Sequence, residues 1–467
     1  MKRASFFLSV LAWLLPVVAV AAEAAYPPPP PPGQPITIED TVYGVLRMHR
    51  SLRGMLENRQ VLEHEVDRSK AGFGPRVDVT GRAGGSILSD STTRGQDLDS
   101  QMWGLAGVSA KLVQPIWDGF ATRSRVRSAQ STLDSVKHRV FDTATSLSLD
   151  GVIAHIDLLR RRRIYDLSEK NVVQHKAILG QAQDRANLGA DTAADVSQAQ
   201  SRLARALSSL SEAKAALLVA EETYTRLTGL PAVTKLAEVT MPPEIFNGAE
   251  PVYELAQKHN PKLAAYMQDI RAARAERELA DSAFYPTFNL EAGPDYTDRG
   301  GSSDRWIYSF DVLGTVRWNI FNSGADLAER KAASARIRQA RQVMYNYSDD
   351  LKLDIESTWT NYQAAQEQYK HYSKAIEYNK YTRTAYLEQF QIGKRSLLDV
   401  LDTENELYNS STQAETARGN ILVGAYRLCA LTGDLLPQMS INTGPLGQNP
   451  PEDKEDPREA FAPGWFN

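Results

Sequence analysis

Apolar positions between residues 193 and 228 recur every seven residues. Val196, Leu203, Leu210, Leu217 and Tyr224 form one row, and Ala199, Ala206, Ala213, Ala220 and Leu227 follow three positions later. A large row beside a small one predicts a coiled-coil seam that lets the partner helix approach closely. The same seam recurs as Val400, Leu407, Ala414, Ile421 and Leu428 with Thr403, Ser410, Ala417, Gly424 and Leu431. Ahead of each seam runs a proline-free stretch, 120–188 and 325–391, and the seams themselves predict helices over 192–228 and 396–432. Gly189 and Gly393 are the turns between the paired helices; Asp191 or Thr192 caps the second helix of the first pair, and Gly229 and Gly433 end the seams. A helix from Ala325 to Gln391 would be about 100 Å long at 1.5 Å per residue. No globular core covers that length, so such helices must lie along other long helices. Ile38 to Lys70 reads as a further helix, stopped before Pro75.

Four segments alternate with period two instead: about 76–87, 102–113, 287–297 and 306–318. In the last, Trp306, Tyr308, Phe310, Val312, Gly314, Val316 and Trp318 alternate with Ile307, Ser309, Asp311, Leu313, Thr315 and Arg317. One face is apolar with aromatics at both ends, and the other is mixed to polar. That is the pattern of a lipid-facing barrel strand with an interfacial girdle, whose residues would be Trp306, Tyr308, Phe310 and Trp318. A four-stranded soluble sheet packed on a helix is the commoner local alternative. Four strands cannot close a barrel around a channel, and an open edge cannot face lipid. A membrane reading therefore requires several chains to pool their strands; three would supply twelve.

The chain is a duplication. With an offset of 204, Ile116 pairs with Ile320, Asp150 with Asp354, Asp195-Val196 with Asp399-Val400 and Leu227-Thr228-Gly229 with Leu431-Thr432-Gly433, and no gap is needed. Nearer the start of each half, where His49 matches His259 and Phe73-Gly74-Pro75 matches Phe284-Tyr285-Pro286, the offset drifts. Length changes of that kind belong in loops. The fold class expected is mainly α with a small β part, built from a repeated helix-strand-strand-helix-helix unit. The units span 36–230 and 251–433, with a linker at 231–250.

Composition removes several function classes. A net charge of -4 provides no basic surface for nucleic acid. The single cysteine, Cys429, excludes a disulfide framework and a cysteine-rich metal site. The seven histidines are scattered, and no phosphate-binding glycine loop is present, so neither an enzyme nor a cofactor is expected. Lys2 and Arg3, an apolar run from Phe6 to Val20 and the small residues Ala19-Val20-Ala21 read as a secretory signal peptide over 1–21. A Pro-rich segment follows at 22–35, read as extended and water-exposed, and 434–467 reads as a flexible tail.

An exported, duplicated chain of this pattern resembles the TolC family of outer-membrane channel-tunnels. The resemblance is carried by Gln391-Ile392-Gly393-Lys394-Arg395-Ser396-Leu397-Leu398-Asp399-Val400-Leu401-Asp402, by Tyr426-Arg427-Leu428-Cys429-Ala430-Leu431-Thr432-Gly433, and by the echo at Asn187-Leu188-Gly189 and Asp195-Val196. It implies a homotrimer whose twelve-stranded transmembrane β-barrel sits in outer-membrane lipid. The long helices would form an α-barrel tunnel in the periplasm, opening at Gly189 and Gly393. It also implies partners: a periplasmic adaptor (membrane fusion protein) and an inner-membrane transporter, an ABC exporter if the duct serves type I protein secretion. The Gly-Lys-Arg-Ser-Leu-Leu-Asp-Val-Leu-Asp form and the missing lipid-anchor cysteine resemble secretion members; drug or metal efflux is the alternative, and a pore-less periplasmic coiled-coil scaffold the alternative of another class.

The resemblance also assigns an aperture latch to Asp195, Phe390 and Arg395. Phe390 stands where the family has a tyrosine, so that hydrogen bond is lost. Asp195 could equally be a helix-start acid complementing the dipole. Asp399 and Asp402 share a helix face and match residues that line the family's constriction, where a trimer would form rings of carboxylates; a solvated helix face is the alternative. The basic run Arg160 to Arg163 reads as a solvated face or an adaptor contact.

Overall fold

The computed structural model describes residues 26–31, 33–87, 102–189, 192–232, 235–242, 247–299 and 306–447; the signal peptide expected over 1–21 lies outside them. The first half runs α1 (Ile38–Met48), α2 (Arg50–Ala71), β1 (Arg76–Ile87), β2 (Met102–Trp117), α3 (Ala121–Asn187) and α4 (Ala193–Thr228). The second runs α5 (Ala249–His259), α6 (Pro261–Asp281), β3 (Thr287–Arg299), β4 (Trp306–Arg317), α7 (Ala325–Gln391) and α8 (Leu397–Thr432), closed by a single turn, α9 (Leu435–Gln438). α3 and α7 both have 67 residues, α4 and α8 both have 36, and all begin and end at an offset of 204. α5 lies 211 residues after α1, and β3 begins 211 after β1, whereas β4 begins 204 after β2. The drift therefore falls between the paired strands, at the far end of the sheet from the helices.

The two 67-residue helices, α3 and α7, are entered through the same backbone turn. Gly119 and Phe120 have φ of 65° and 68°, and Ser323 and Gly324 have 50° and 82°. The left-handed pair is kept while its glycine moves by one position, so Phe120 and Ser323 each carry strain of about 1 kcal/mol. The seams then face inward. Ala199, Ala206, Ala220 and Tyr224 are buried on α4, as are Val400, Thr403, Ser410, Ala414, Ala417 and Leu428 on α8. α4 lies along α3 and α8 along α7, with α3 also packed on α8.

The helix expected over Ile38–Lys70 is divided at His49, whose φ of -76° and ψ of 116° are extended. The matching break in the second half falls at Asn260, one residue past the His259 that sequence matching pairs with His49. Asn260 precedes Pro261, which disfavours helix at the residue before it, and caps α6 by accepting the Leu263 N–H at 2.9 Å. No proline or glycine marks the break at His49, so the pattern does not reveal it. The division lets α1 turn Val42, Val45 and Leu46 into the core with Val140, Ala144 and Val152 of α3. The first part of the segment expected to be a flexible tail from 434 is packed, and its remainder lies outside the described residues. Leu435, Leu436, Met439, Ile441 and Leu446 enter the same core, and Arg59 Nη1 donates to the Leu446 carbonyl at 2.5 Å. Short apolar residues spread through a Pro- and Gly-containing segment have no periodicity to announce this.

Inside that core, Thr41 Oγ1 lies 2.8 Å from both His155 Nδ1 and Tyr224 Oη, and His155 Nε2 lies 3.1 Å from the Ala237 carbonyl. The carbonyl can only accept, so Nε2 carries the proton and Nδ1 accepts. Burial pushes the His155 pKa below its ordinary 6.5. The neutral ring is the folded form and the unfolded chain binds the extra proton. Stability at this site is thus complete above pH 6.5 and falls as the pH drops toward the lowered value. We expect melting temperature to decline between pH 7 and pH 5, and His155→Gln to remove part of that slope. Thr41→Val should lower stability by about 1–2 kcal/mol at pH 7.5, measured by thermal unfolding in detergent.

Candidate functional site: the exposed sheet and the helical tip

The four strands form one antiparallel sheet in the order β1-β2-β3-β4, so β2 and β3 join the two halves and β1 and β4 leave free edges. Register decides which side chains share a face. Val79 stands opposite Ala110, Val77 opposite Leu112, and Leu112 opposite Ala292, which stands opposite Val312. One step along, Val108, Tyr296 and Tyr308 align. The apolar sets of all four strands thus fall on one continuous face. Trp306, Tyr308, Phe310, Val312 and Val316 are between 60% and 63% exposed on it. Trp318 lies just past β4 and donates its indole N–H to the Phe284 carbonyl at 3.2 Å. At the joint between the halves, a Cβ on Gly293 would sit 1.9 Å from the Ala110 carbonyl oxygen, so only glycine fits.

The opposite face is ion-paired across strands. Arg82 of β1 reaches over Gly107 to Asp295, at 3.2 Å, and to Thr297 Oγ1, at 2.5 Å, both on β3. Lys111 meets Glu291 at 2.7 Å, and Glu291 also accepts from Thr315 of β4 at 3.2 Å. An apolar outer face and a polar, paired inner one are what a lipid-embedded wall around water requires. Among the described residues no helix is long and apolar enough to cross a membrane.

The helical tip is closed by two turns. Gly189 and Gly393 both have φ of 76°, and the Lys394 N–H bonds back to the Gln389 carbonyl at 2.9 Å. Within the chain, Asp195 and Arg395 are not joined. Asp195 forms a capping box with Thr192, whose hydroxyl and backbone N–H hold its carboxyl below the usual carboxylate range. Arg395 stacks its guanidinium 3.8 Å from the Tyr386 ring centre and lies 3.7 Å from Asp399. Phe390 is 1% exposed, packed with Ile178, Ala182, Ala199, Leu397, Val400 and Leu401. Arg185 lies over its ring at 4.6 Å and donates to its carbonyl at 2.9 Å.

Sequence reading missed the contacts that join the two hairpins here. Arg202 of α4 meets Asp402 of α8 at 2.7 Å. Arg383 of α7 bridges Glu404 of α8 and Gln174 of α3, the latter at 2.7 Å. Arg202 and Glu404 occupy the positions flanking each heptad seam, where charges select partners, so a signal was available. Farther from the tip, the basic run is neither a free patch nor a solvated face. Arg160 and Arg161 pair with Asp157, Arg162 with Glu221 and the Ala232 carbonyl, and Arg163 with Glu238 and Glu415. The Arg163 hydrogen bond holds Glu238 below the usual carboxylate range. The run fastens the linker to α3 and α8.

Four substitutions test this geometry. Phe310→Arg should cost about 2–4 kcal/mol and abolish assembly into lipid, whereas Ser309→Arg on the ion-paired face should assemble, scored by heat-modifiable mobility of the membrane fraction. Arg383→Ala leaves Glu404, only 7% exposed, without its cation, and should destabilise by about 3–5 kcal/mol; adding Glu404→Gln should recover much of that loss in thermal melts.

Comparison with known proteins places both halves in one family. The family model described as "Outer membrane efflux protein" matches residues 42–230 and 252–434. The outer membrane efflux protein BepC of Brucella suis is 24% identical, over 89% of this chain and 90% of that protein. The outer membrane protein TolC of Vibrio cholerae is 24% identical over 84% and 90%. The pyoverdine export outer membrane protein OpmQ and the alkaline protease secretion protein AprF, both of Pseudomonas aeruginosa, are 25% identical over 76% and 76% and 22% identical over 80% and 81%. Among solved structures, CusC superposes with a TM-score of 0.74 over 87% of this chain and 92% of that one, at 13% identity. The outer-membrane channel OprN does so with 0.74 over 85% and 89%, at 17% identity.

Proposed function

Because the chain belongs to the outer membrane efflux protein family, an outer-membrane channel rather than an enzyme, we propose that it acts as a homotrimeric duct. Three sheets close one barrel in the outer membrane, and three pairs of helical hairpins enclose a tunnel through the periplasm. The observation that carries this is the sheet itself: four strands, two unpaired edges and one continuous exposed apolar face. Unpaired backbone N–H and C=O groups cost several kcal/mol each in lipid, so the edges must meet those of sister chains. Twelve pooled strands leave room for a narrow channel. Energy and selectivity of loading then belong to partners, a periplasmic adaptor and an inner-membrane transporter that engage the tip.

Our reading of the cargo is type I secretion of a large polypeptide, with an ABC exporter as the inner-membrane partner. The sequence Gly393-Lys394-Arg395-Ser396-Leu397-Leu398-Asp399 supports it, as does the similarity to a protein named for alkaline protease secretion. The names of BepC, an efflux protein, and OpmQ, a pyoverdine export protein, favour the second reading, an efflux duct of the same fold for drugs or metals.

The trimer is tested by mass measurement of the detergent-extracted protein and by conductance in planar bilayers; a monomer soluble without detergent would end the proposal. Cargo is tested by deleting the gene in its host. Loss of a large secreted protein from the medium with unchanged resistance to dyes and detergents is the expected result, and the converse pattern assigns the duct to efflux.

A further inference from the structure

The two carboxylates that line the mouth in the trimeric reading are not free in the folded chain. Asp402 Oδ1 accepts from Arg202 Nη2 at 2.7 Å, and the arginine side chain is the more covered partner, 23% exposed against 54%. The contact crosses from one hairpin to the other, α4 to α8. Asp399 Oδ2 accepts the Ser396 hydroxyl at 2.8 Å and lies 3.7 Å from Arg395 Nη1. Arg395 is itself steadied against the Tyr386 ring. Two acids and two arginines thus meet one to one on each chain.

We propose that Arg202 is a specificity-determining residue of the mouth: it supplies a fixed counter-charge to Asp402, so that this level of the constriction presents no net negative ring. The proposal rests on the trimeric-duct reading and refines it. Three bare carboxylates around one axis repel each other and concentrate cations, multivalent ones most strongly. A guanidinium held at hydrogen-bond distance replaces the mobile counter-ion with a bound one. A solute on the axis then meets a dipole, whose field falls off faster than that of a charge. Arg395 does the same for Asp399 less completely, because its contact is longer. A compensated mouth suits a polypeptide cargo carrying both signs, and it is a poor filter for cations.

The test uses the full-length protein in planar bilayers, reading the reversal potential in a potassium chloride gradient and block by hexaamminecobalt(III) added at the tip side. Wild type should be weakly selective and weakly blocked. Arg202→Gln should raise cation selectivity and tighten block on the order of tenfold. Adding Asp402→Asn should return both toward wild type. The exchange of Arg202→Asp with Asp402→Arg, which keeps an opposite-charge pair at this level, should also keep wild-type selectivity, whereas raised cation selectivity in the exchange would show that the orientation of the pair and not its compensation sets the filter. Unaltered block in Arg202→Gln overturns the proposal alone, as does tight wild-type block that Asp402→Asn removes. A wild-type preparation that conducts no current overturns the duct reading, and this inference with it.

Discussion

The unmet hydrogen bonds at the two edges of the sheet govern everything else in the structure. Each chain offers four strands with apolar residues on one face and ion pairs on the other. In water the apolar face would be a liability, and in lipid the edges would be. Both problems have one solution, edge-to-edge closure with other copies. That closure requires an even wall, which explains why β2 and β3, from different halves, pair as closely as strands within a half. Gly293 allows that joint by leaving room for the Ala110 carbonyl.

The helices answer to the sheet. A strand pair in each half feeds one long helix through the same left-handed turn, at Gly119-Phe120 and Ser323-Gly324. The helices then run 67 and 36 residues with no insertion in either copy. A heptad seam tolerates no such change, since one added residue rotates every later side chain by about 100°. The outer strand connections carry no such constraint, and there the halves differ in length. The shorter helix α1, with the linker and the segment through Leu446, joins α3 and α8 in the largest core among the described residues, while α5 packs in a separate cluster with α7 and α8.

At the tip the same seams meet charge. Phe390, buried under Arg185, packs in an apolar cluster with Ile178, Ala182, Ala199, Leu397, Val400 and Leu401. The ties between hairpins come instead from Arg202–Asp402 and from Arg383 with Glu404 and Gln174. An arginine does this well because its planar fork binds two acceptors on different helices at once. The basic run at Arg160–Arg163 uses that property again, holding the linker against α3 and α8.

Amino-acid order alone determined the duplication, the long helices, the two turns at Gly189 and Gly393 and the lipid-facing alternation from Trp306 to Val316. Each follows from a periodicity of the chain, and periodicity is local. The break at His49 was invisible because no residue type there forbids helix; only the packing of Val42, Val45 and Leu46 against α3 requires it. The docking of Leu435 to Leu446 was invisible for the same reason. At the tip, residue types revealed which groups could ionise, while the partner of each was decided by the lateral arrangement of four helices. Arg202 and Asp402 are two hundred positions apart in the chain, and no one-dimensional pattern couples them. Their pairing exists because two hairpins, each specified by its own seam, are laid side by side by the sheet that carries them.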